Sequence, residues 1–406
     1  MNYKCDVCVV GNGPIGKAAA LGLARAGRSV CLLVPPDAPA AAASVLSLAW
    51  DVRVYALNHV ARAMLDSLKV WDALDAQRVA PIESMAVSGD GDRHPGSLAF
   101  DAYQARVGAL AWIVEDSNLN MALDTALKFA PNLNVVRGRA IGLANGTAQA
   151  ILTLENGDTC TAALVVGADG AQSWVRNQCD IGIDYRPYHQ RAVVANFACE
   201  LPHHGVAQQW FTAHEGIVAL LPLPDRRVSL VWSAPDALAG VLQTESLTAL
   251  AERLSALPGN RLGQLTPLLP EHCKSIPLSL IRAHAITAPR VALVGDAAHV
   301  IHPLAGHGMN LGFADVAALL ASVTQLATAR QGTDGSDCGQ PRVLGQYARA
   351  RKEDILLMQL ATDALERLFS SDFEPLRLAR NLGMHVLDKL PSLKRQLMAH
   401  AMGKAT

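Results

Sequence analysis

A glycine-rich turn near the start of the chain constrains the fold more than any other feature. Residues 11–16 read GNGPIG, which has the spacing G-x-G-x-x-G. The preceding residues, 4–10, form an apolar, β-branched run typical of a buried parallel strand. Residues 17–26 are rich in Ala and Leu and predict a helix, and residues 29–34 predict a second strand. This strand–turn–helix–strand order is the context in which the spacing indicates a dinucleotide site.

Each glycine of the turn has a separate physical role. Gly11 permits the tight turn, Gly13 lets the backbone approach a pyrophosphate, and Gly16 lets the helix pack close to the strand. The start of the helix, which includes Pro14, presents free N–H groups and a positive dipole end to the phosphate. A glycine turn without a ligand is the alternative, and the surrounding pattern disfavours it.

One position departs from the dinucleotide pattern. The second strand usually ends in Glu or Asp, which accepts hydrogen bonds from the adenosine ribose, but here it ends in Val34. Val34 has no acceptor in its side chain. Asp37, backbone groups or water must therefore hold the ribose.

Composition limits the function classes. The chain has 406 residues, which favours two domains or one domain with a large inserted layer. A net charge of −1 gives no overall attraction for nucleic acid, and no nucleic-acid partner is predicted. Eight scattered cysteines fit a reducing compartment. Cys5 and Cys8 lie three residues apart on the predicted strand, so we expect them to face opposite sides and to fill the core rather than bind a metal.

Two further predicted strands end in glycine and aspartate. Residues 165–166 lead into GADG at 167–170, a turn that is too common to be specific by itself. Residues 291–294 lead into GDAAH at 295–299 and then to PLAGHGMNLG, before a predicted helix at 313–327. The histidines of this last segment lack the spacing of metal ligands, so no metal site is predicted; they are His299, His302 and His307.

Taken together, these three segments resemble the single-component FAD-dependent aromatic hydroxylases, and most closely the ubiquinone-biosynthesis hydroxylase family. Residues 51–57, 112–115 and 219–223 also match, and the resemblance covers nearly the whole chain. It implies an α/β protein with a glutathione-reductase-like FAD-binding dinucleotide fold, an interleaved β-sheet substrate domain and C-terminal helices. The implied boundaries are 1–73, 106–178 and 286–340 for the FAD-binding domain, 74–105 and 179–285 for the substrate domain, and 341–406 for the C-terminal helical region.

The resemblance also implies roles for individual residues. Arg53 would lie along the FAD, Asp169 belongs to a motif linked to both FAD and the pyridine nucleotide, and Asp296 would bind the ribityl chain. His307 stands where the family usually has Gln, which is a departure at the flavin edge. The glycine turn with Pro14 would hold the pyrophosphate, and the residues implied around the ribityl chain and the isoalloxazine are Gly295, Pro303, Gly306, Gly308, Met309 and Asn310.

The implied reaction uses a pyridine nucleotide that visits and leaves, because the chain has a single G-x-G-x-x-G. NAD(P)H would reduce the flavin, and O2 would add to give a C(4a)-hydroperoxide that transfers one oxygen atom to an electron-rich ring. The cofactor supplies this chemistry, so no nucleophile is required. His302 and His307 are candidates for a base by location alone.

Hydroxylation of a polyprenylated phenol or quinone precursor is the favoured function. The alternatives are hydroxylation of a soluble aromatic compound, an FAD-dependent dehydrogenase or prenyl reductase, and a non-enzymatic scaffold. From residue 374 on, basic and apolar residues alternate, which suits a helix packed on the FAD domain or one docked on anionic lipid. We expect a cytoplasmic protein without a leader or membrane span, with contact to the inner membrane and a quinone-biosynthesis complex left open.

Overall fold

The described residues of the computed structural model form an α/β protein with three β-sheets. The structure describes residues 1–36, 50–89, 96–212, 214–268, 273–329 and 337–369, with 381, 383, 384, 390, 394 and 402. The strands are β1 (Asn2–Val10), β2 (Val30–Val34), β3 (Val54–Leu57), β4 (Val79–Ile82), β5 (Ser84–Ser88), β6 (Ser97–Asp101), β7 (Ala111–Glu115), β8 (Leu133–Arg137), β9 (Ala140–Asn145), β10 (Ala150–Leu154), β11 (Thr159–Gly167), β12 (Ile183–Cys199), β13 (Val206–Thr212), β14 (Gly216–Leu223), β15 (Arg227–Pro235), β16 (Leu265–Pro267), β17 (Lys274–Ala283), β18 (Thr287–Ala288), β19 (Val291–Leu293) and β20 (His299–Val300). The α-helices are α1 (Pro14–Arg25), α2 (His59–Ser67), α3 (Asp116–Lys128), α4 (Trp174–Gln178), α5 (Asp236–Thr244), α6 (Leu247–Ser255), α7 (His307–Ala329) and α8 (Pro341–Phe369).

The first sheet brings the three glycine segments together. Its strand order is β18-β19-β11-β1-β2-β8, and β1, β2, β8, β11 and β19 run parallel. Val10 of β1 lies beside Gly167 of β11, which lies beside Leu293 of β19. The carboxyl ends of these strands therefore share one edge, where ligands of open α/β sheets bind.

Helix α1 covers this sheet and confirms the helix predicted after the glycine turn. It begins at Pro14, three residues before the expected start, because proline suits the first helical position. Its apolar residues are buried in the core between the sheet and α7. At Gly22 a Cβ would lie 2.5 Å from the end of the Leu320 side chain of α7, so glycine gives this leucine room to pack against α1.

A second, largely antiparallel sheet has the order β20-β17-β12-β15-β14-β13-β5-β6. It confirms the strands predicted at 191–199 and 228–233. Phe197 and Trp232 are fully buried in a core that the sheet shares with α5 and α6. Strand β20, at the edge of this sheet, is His299–Val300 of the third glycine segment. The second sheet is therefore joined directly to the third glycine segment.

The third sheet, β3-β7-β4, pairs two of the sequence stretches that carried the resemblance. Val54 lies beside Glu115, which is fully buried at the end of β7. The Glu115 carboxylate accepts hydrogen bonds from Arg78 at 2.6 and 2.8 Å and from the Asp51 backbone N–H at 2.5 Å. Through these contacts Glu115 holds in place the segment that carries Arg53.

The expectation that Cys5 and Cys8 face opposite sides of β1 is wrong. Both pack into the same apolar cluster, and Cys5 Sγ lies 3.8 Å from Cys160 Sγ. The backbone N–H groups of Asp6 and Val7 both donate to the Ser29 carbonyl, at 3.0 and 3.1 Å. Such a bulge-like irregularity breaks the alternation of a strand and puts residues three apart on one side.

Four cysteines consequently share this cluster, since Cys8, Cys31 and Cys160 have sulfur atoms within 4.8 Å of one another. The surrounding side chains are apolar. A hydrogen bond to Cys160, together with burial, raises the pKa of Cys5 to about 12. The thiol of Cys5 is therefore protonated and packs as a small apolar group.

Several expectations fall on residues outside the described ranges. These are the reach of Asp37, most of the loop at 331–341, and most of the amphipathic tail after residue 374. The domain boundaries also remain a prediction. Among the described helices, none combines the length and the apolar character that a membrane crossing needs.

Candidate cofactor site

The shared carboxyl edge of the first sheet opens onto a cavity of about 710 Å³. All three glycine segments contribute to its wall, together with residues that follow β2 and β8. The lining residues are 10–16, 33, 35, 53, 55, 138–140, 168–170, 174, 294, 296 and 309. The cavity therefore lies where the sequence predicted a dinucleotide.

The glycine turn fits a pyrophosphate at its centre. Gly11 has φ +129°, and a Cβ there would lie 2.1 Å from the Ala168 carbonyl oxygen. At Gly16 a Cβ would lie 2.4 Å from the Gly11 carbonyl oxygen. Around Gly13, by contrast, no other atom lies within 4 Å of such a Cβ. Gly11 and Gly16 let three backbone segments meet, whereas Gly13 keeps the cradle at the N-terminus of α1 open.

Asp296 and Arg53 place opposite charges on the cavity wall. Asp296 lies in a short 3₁₀ turn after β19, and its side chain is exposed to the cavity. Burial in the surrounding protein raises the pKa of the Asp296 carboxyl. Electrostatic interactions with His299 and Arg53 partly offset this rise. The Arg53 guanidinium lies 5.5 Å from the centre of the Tyr55 ring. A carboxylate acceptor and a guanidinium suit ribityl hydroxyls and phosphate, respectively.

A buried charged cluster that the sequence did not reveal holds the turn before Asp296. Asp315 on α7 is fully buried and accepts hydrogen bonds from the Gly295 backbone N–H at 2.9 Å and from His299 Nε2 at 2.7 Å. Arg351 on α8 donates to it at 2.7 Å. The aspartate thus ties the third glycine segment to both long helices. A buried Asp in an otherwise apolar helix is the signal that could have indicated it.

The loop beyond β20 is held by the side chain of Asn310, in the first turn of α7. Asn310 donates to the Ala56 carbonyl at 2.8 Å and to the Gly306 carbonyl at 3.2 Å, and accepts from the Asn58 N–H at 2.9 Å. Its amide is therefore engaged by the protein. Of the residues implied around the isoalloxazine, Met309 lines the cavity, while Pro303, Gly306, Gly308 and Asn310 are not part of its wall.

Helix α7 begins at His307, six residues before the predicted start. It includes Gly312, where a Cβ would lie 2.9 Å from the Ile15 side chain and 3.4 Å from the Gly295 Cα. Glycine there allows the helix to pass close to both glycine turns. The sequence was misleading because glycines inside a helix normally lower its propensity.

Asp169 has a local structural role in addition to lining the cavity. Its carboxylate accepts hydrogen bonds from the Ser173 hydroxyl and from the Val175 N–H, at 2.5 and 2.9 Å, at the start of α4. Arg176 on α4 then donates to the Ala297 carbonyl at 3.0 Å. The second glycine segment is in this way bonded to the third.

The wall beyond Val34 contains a residue that the motifs did not predict. Val34 is buried, and the adjacent wall is formed by Leu33, Pro35 and residues 138–140. Arg139 follows β8, the neighbour of β2, and its side chain is exposed. The basic sequence RGRA at the end of β8 is the signal that could have indicated it.

The two histidines considered as bases lie in different settings. His302 is buried, with Nε2 3.1 Å from Gln190 Oε1, and burial lowers its pKa to about 4. His307 is half-buried at the first position of α7. Neither is part of the cavity wall described above.

Comparison with known proteins confirms the resemblance. Residues 4–353 match the model of the family described as FAD binding domain. The chain is 37% identical over 402 residues to the ubiquinone hydroxylase UbiL of Rhodospirillum rubrum, covering 98% of this chain and 89% of that one. It is 35% identical over 403 residues to the 3-demethoxyubiquinol 3-hydroxylase of Escherichia coli, covering 99% of each.

A solved structure supports the fold independently. The p-nitrophenol 4-monooxygenase PnpA from Pseudomonas putida superposes with a TM-score of 0.75 at 19% identity, covering 99% of this chain and 98% of that one. At that identity the likeness concerns the fold alone. The full-length relatives carry the assignment: the chain belongs to the FAD-binding family that includes these ubiquinone hydroxylases.

Proposed function

We propose that this flavoprotein hydroxylates the aromatic ring of a polyprenylated phenol or quinol precursor of ubiquinone, with NAD(P)H as electron donor and O2 as oxidant. The observation that carries the proposal is the 35% identity to a 3-demethoxyubiquinol 3-hydroxylase over 99% of both chains. The cavity at the sheet edge, formed by all three glycine segments, supports it.

FAD, when bound, supplies the redox and oxygen chemistry of such an enzyme. The chain would hold it through three contacts. The open backbone at Gly13 and the start of α1 would take the pyrophosphate, with the Arg53 cation beside it. Asp296 would accept hydrogen bonds from the ribityl hydroxyls, and Met309 would border the ring system.

Genetic complementation tests the reaction. We expect the gene for this chain to restore ubiquinone in an Escherichia coli strain that lacks its 3-demethoxyubiquinol 3-hydroxylase or another ring hydroxylase of the pathway. The quinone intermediate that the rescued strain accumulates without this gene also identifies the ring position that the protein hydroxylates. Failure to restore ubiquinone in every such strain, with the protein present and loaded with FAD, would contradict the proposal.

The role of Asp296 gives a separate prediction. We expect Asp296→Ala to weaken FAD binding on the order of tenfold or more, because ribityl hydroxyls would lose a charged acceptor. Asp296→Asn keeps an acceptor and should retain much of the affinity. Asp66→Ala removes an exposed carboxylate outside the cavity wall and serves as the control. Fluorescence titration of the apoprotein measures each dissociation constant, and an unchanged value for Asp296→Ala would refute the role.

We propose in addition that the protein reaches its substrate at a membrane surface. A polyprenyl tail partitions into lipid, and residues 374–404 carry six Lys and Arg, of which Lys394 is buried, against two acidic residues among interspersed leucines. We expect the protein to float with vesicles containing anionic lipid and to bind neutral vesicles less, since basic residues favour an anionic surface. Equal binding to both, or to neither, would argue against this contact.

A further inference from the structure

Three buried polar side chains form a hydrogen-bonded chain that ends beside Pro303 in the third glycine segment. Gln190 on β12 donates from Nε2 to Glu366 Oε1 on α8, at 2.9 Å. Gln190 Oε1 lies 3.1 Å from His302 Nε2, immediately before Pro303. Their exposed fractions are 9% for Gln190, 8% for Glu366 and 1% for His302. The three residues come from distant parts of the sequence, and no motif predicted the contact.

This order fixes the tautomer of His302. An ionised carboxylate only accepts, so it holds the NH2 group of Gln190 toward Glu366 and leaves the amide oxygen facing His302. That oxygen can only accept, so Nε2 of His302 carries the proton. The other ring nitrogen, Nδ1, therefore presents a lone pair. Burial lowers the pKa of His302 to about 4, which keeps the ring neutral near pH 7.

The free lone pair has no protein partner. Nδ1 of His302 is buried and makes no hydrogen bond to any residue that the structure describes. Tyr188 stands edge-on to the imidazole, with ring centres 4.9 Å apart and an interplanar angle of 86°, and so holds the ring plane. The Arg186 guanidinium in turn lies 5.0 Å over Tyr188 and pairs with Asp363 of α8. A buried acceptor that is held in place but unbonded calls for a ligand donor.

We propose that His302 Nδ1 accepts a hydrogen bond from the hydroxyl group of the aromatic substrate, with Gln190 and Glu366 as positioning residues. The inference rests on the proposed function, because it names the group of the substrate that this site recognises. A ring hydroxyl is a donor that matches a lone acceptor. Drawing its proton toward Nδ1 increases the electron density of the ring, which favours attack by an electrophilic oxygen. The proton remains shared between oxygen and Nδ1, so no net transfer is required.

The test compares the holoenzyme with a pair of ligands. Flavin absorbance changes would report binding of a short-tailed demethoxyubiquinol and of its ring-hydroxyl methyl ether, without oxygen. We expect the wild type to prefer the hydroxyl compound by about tenfold, the ordinary worth of a hydrogen bond to a buried neutral acceptor. In His302→Phe this preference should fall to about one, with a raised KM and a lower kcat. His284→Phe, which changes an exposed histidine, should leave the preference unchanged.

Gln190→Leu provides the second variant, in case His302→Phe loses FAD or does not fold. It removes the group that fixes the tautomer, so the preference should fall partway, while His302→Phe abolishes it. If either FAD-loaded variant preferred the hydroxyl compound as strongly as the wild type does, the proposal would be overturned. The partner of Nδ1 would then be a water molecule. Product formation by the wild type is scored separately. A wild type that binds both ligands but hydroxylates neither counts against the proposed function, whereas unchanged ligand preference counts against His302.

Discussion

The two ends of the cofactor cavity are built in different ways. At the glycine end the wall is mostly backbone, brought together where β1, β11 and β19 end, with Gly11 against Ala168 and Gly13 open to the cavity. At the opposite end, beyond Val34, where we propose that the adenosine binds, the wall consists of Leu33, Pro35 and the residues around Arg139. No strand-ending carboxylate is present at Val34 to hold a ribose.

This difference shows how such a site tolerates variation. Backbone contacts need glycines at fixed positions, so an added side chain would clash with the protein backbone at Gly11 and would enter the open cradle at Gly13. Side-chain contacts at the other end can be exchanged, and an exposed arginine that follows a neighbouring strand can compensate for the missing acidic residue by stacking on an aromatic base. Substitutions at the two ends can therefore test whether the backbone wall at the glycine end is rigid and whether the side-chain contacts at the adenosine end are replaceable.

The largest effect should come from Gly11→Ala. A Cβ there would lie 2.1 Å from the Ala168 carbonyl oxygen, and the residue has φ +129°, so strain and a backbone clash combine. We expect the free energy of unfolding of the apoprotein to fall by roughly 3 kcal/mol or more. Denaturant unfolding of the apoprotein measures it.

Gly13→Ala is the matched variant. Gly13 has φ −76°, and its Cβ would meet no protein atom within 4 Å, so apoprotein stability should stay within about 0.5 kcal/mol of wild type. FAD affinity should fall at least about tenfold, because the new methyl group would enter the cradle. If both variants unfolded alike, or if Gly13→Ala bound FAD normally, the glycine end would not be the backbone cradle described above.

Asp315→Asn should have the next largest effect, because it removes the charge that holds the Gly295 turn. Arg351 would lose its buried carboxylate and keep only the exposed Asp354, which should cost about 3 kcal/mol in the free energy of unfolding. Asp354→Asn changes the exposed partner of the same arginine and should cost only about 0–1 kcal/mol. Equal losses for the two variants would contradict the importance of the buried contact.

The same carboxylate predicts an acid transition. Burial alone would raise the pKa of Asp315, but His299 and Arg351 outweigh it and hold the pKa below its usual range. The unfolded chain therefore takes up this proton at a higher pH than the folded protein does. The stability contributed by Asp315 is present above about pH 4 and is lost as the pH falls below it. Asp315→Asn should remove this component from the pH profile of unfolding.

Arg139→Ala should have the smallest effect. We expect FAD affinity to fall about tenfold, near 1.4 kcal/mol, while affinity for FMN, which lacks the adenosine, stays unchanged. Lys128→Ala removes a cation that is not part of the cavity wall and serves as the control. A parallel loss for FAD and FMN would show that Arg139 does not act at the adenosine end.

The glycine end could be predicted from the sequence because its requirements are local. A strand, a glycine turn and a helix follow one another directly, and the order of the three glycine segments along the chain carried the resemblance to the family. The Asp315–Arg351 pair and the Glu366–Gln190–His302 chain could not be predicted in this way, because their members meet only through the packing of α7, α8 and β12. The placement of Cys5 and Cys8 failed for a related reason, since a backbone irregularity overrode the alternation of the strand.

Isotope labelling tests the central claim most directly. The purified, FAD-loaded protein would be given NADH or NADPH and a short-tailed demethoxyubiquinol under ¹⁸O2, and the product analysed by mass spectrometry. We expect a hydroxylated ring that carries one ¹⁸O atom, with pyridine nucleotide consumed. A product whose new oxygen comes from water, or oxidation of the ring without added oxygen, would contradict the assignment as a ring hydroxylase.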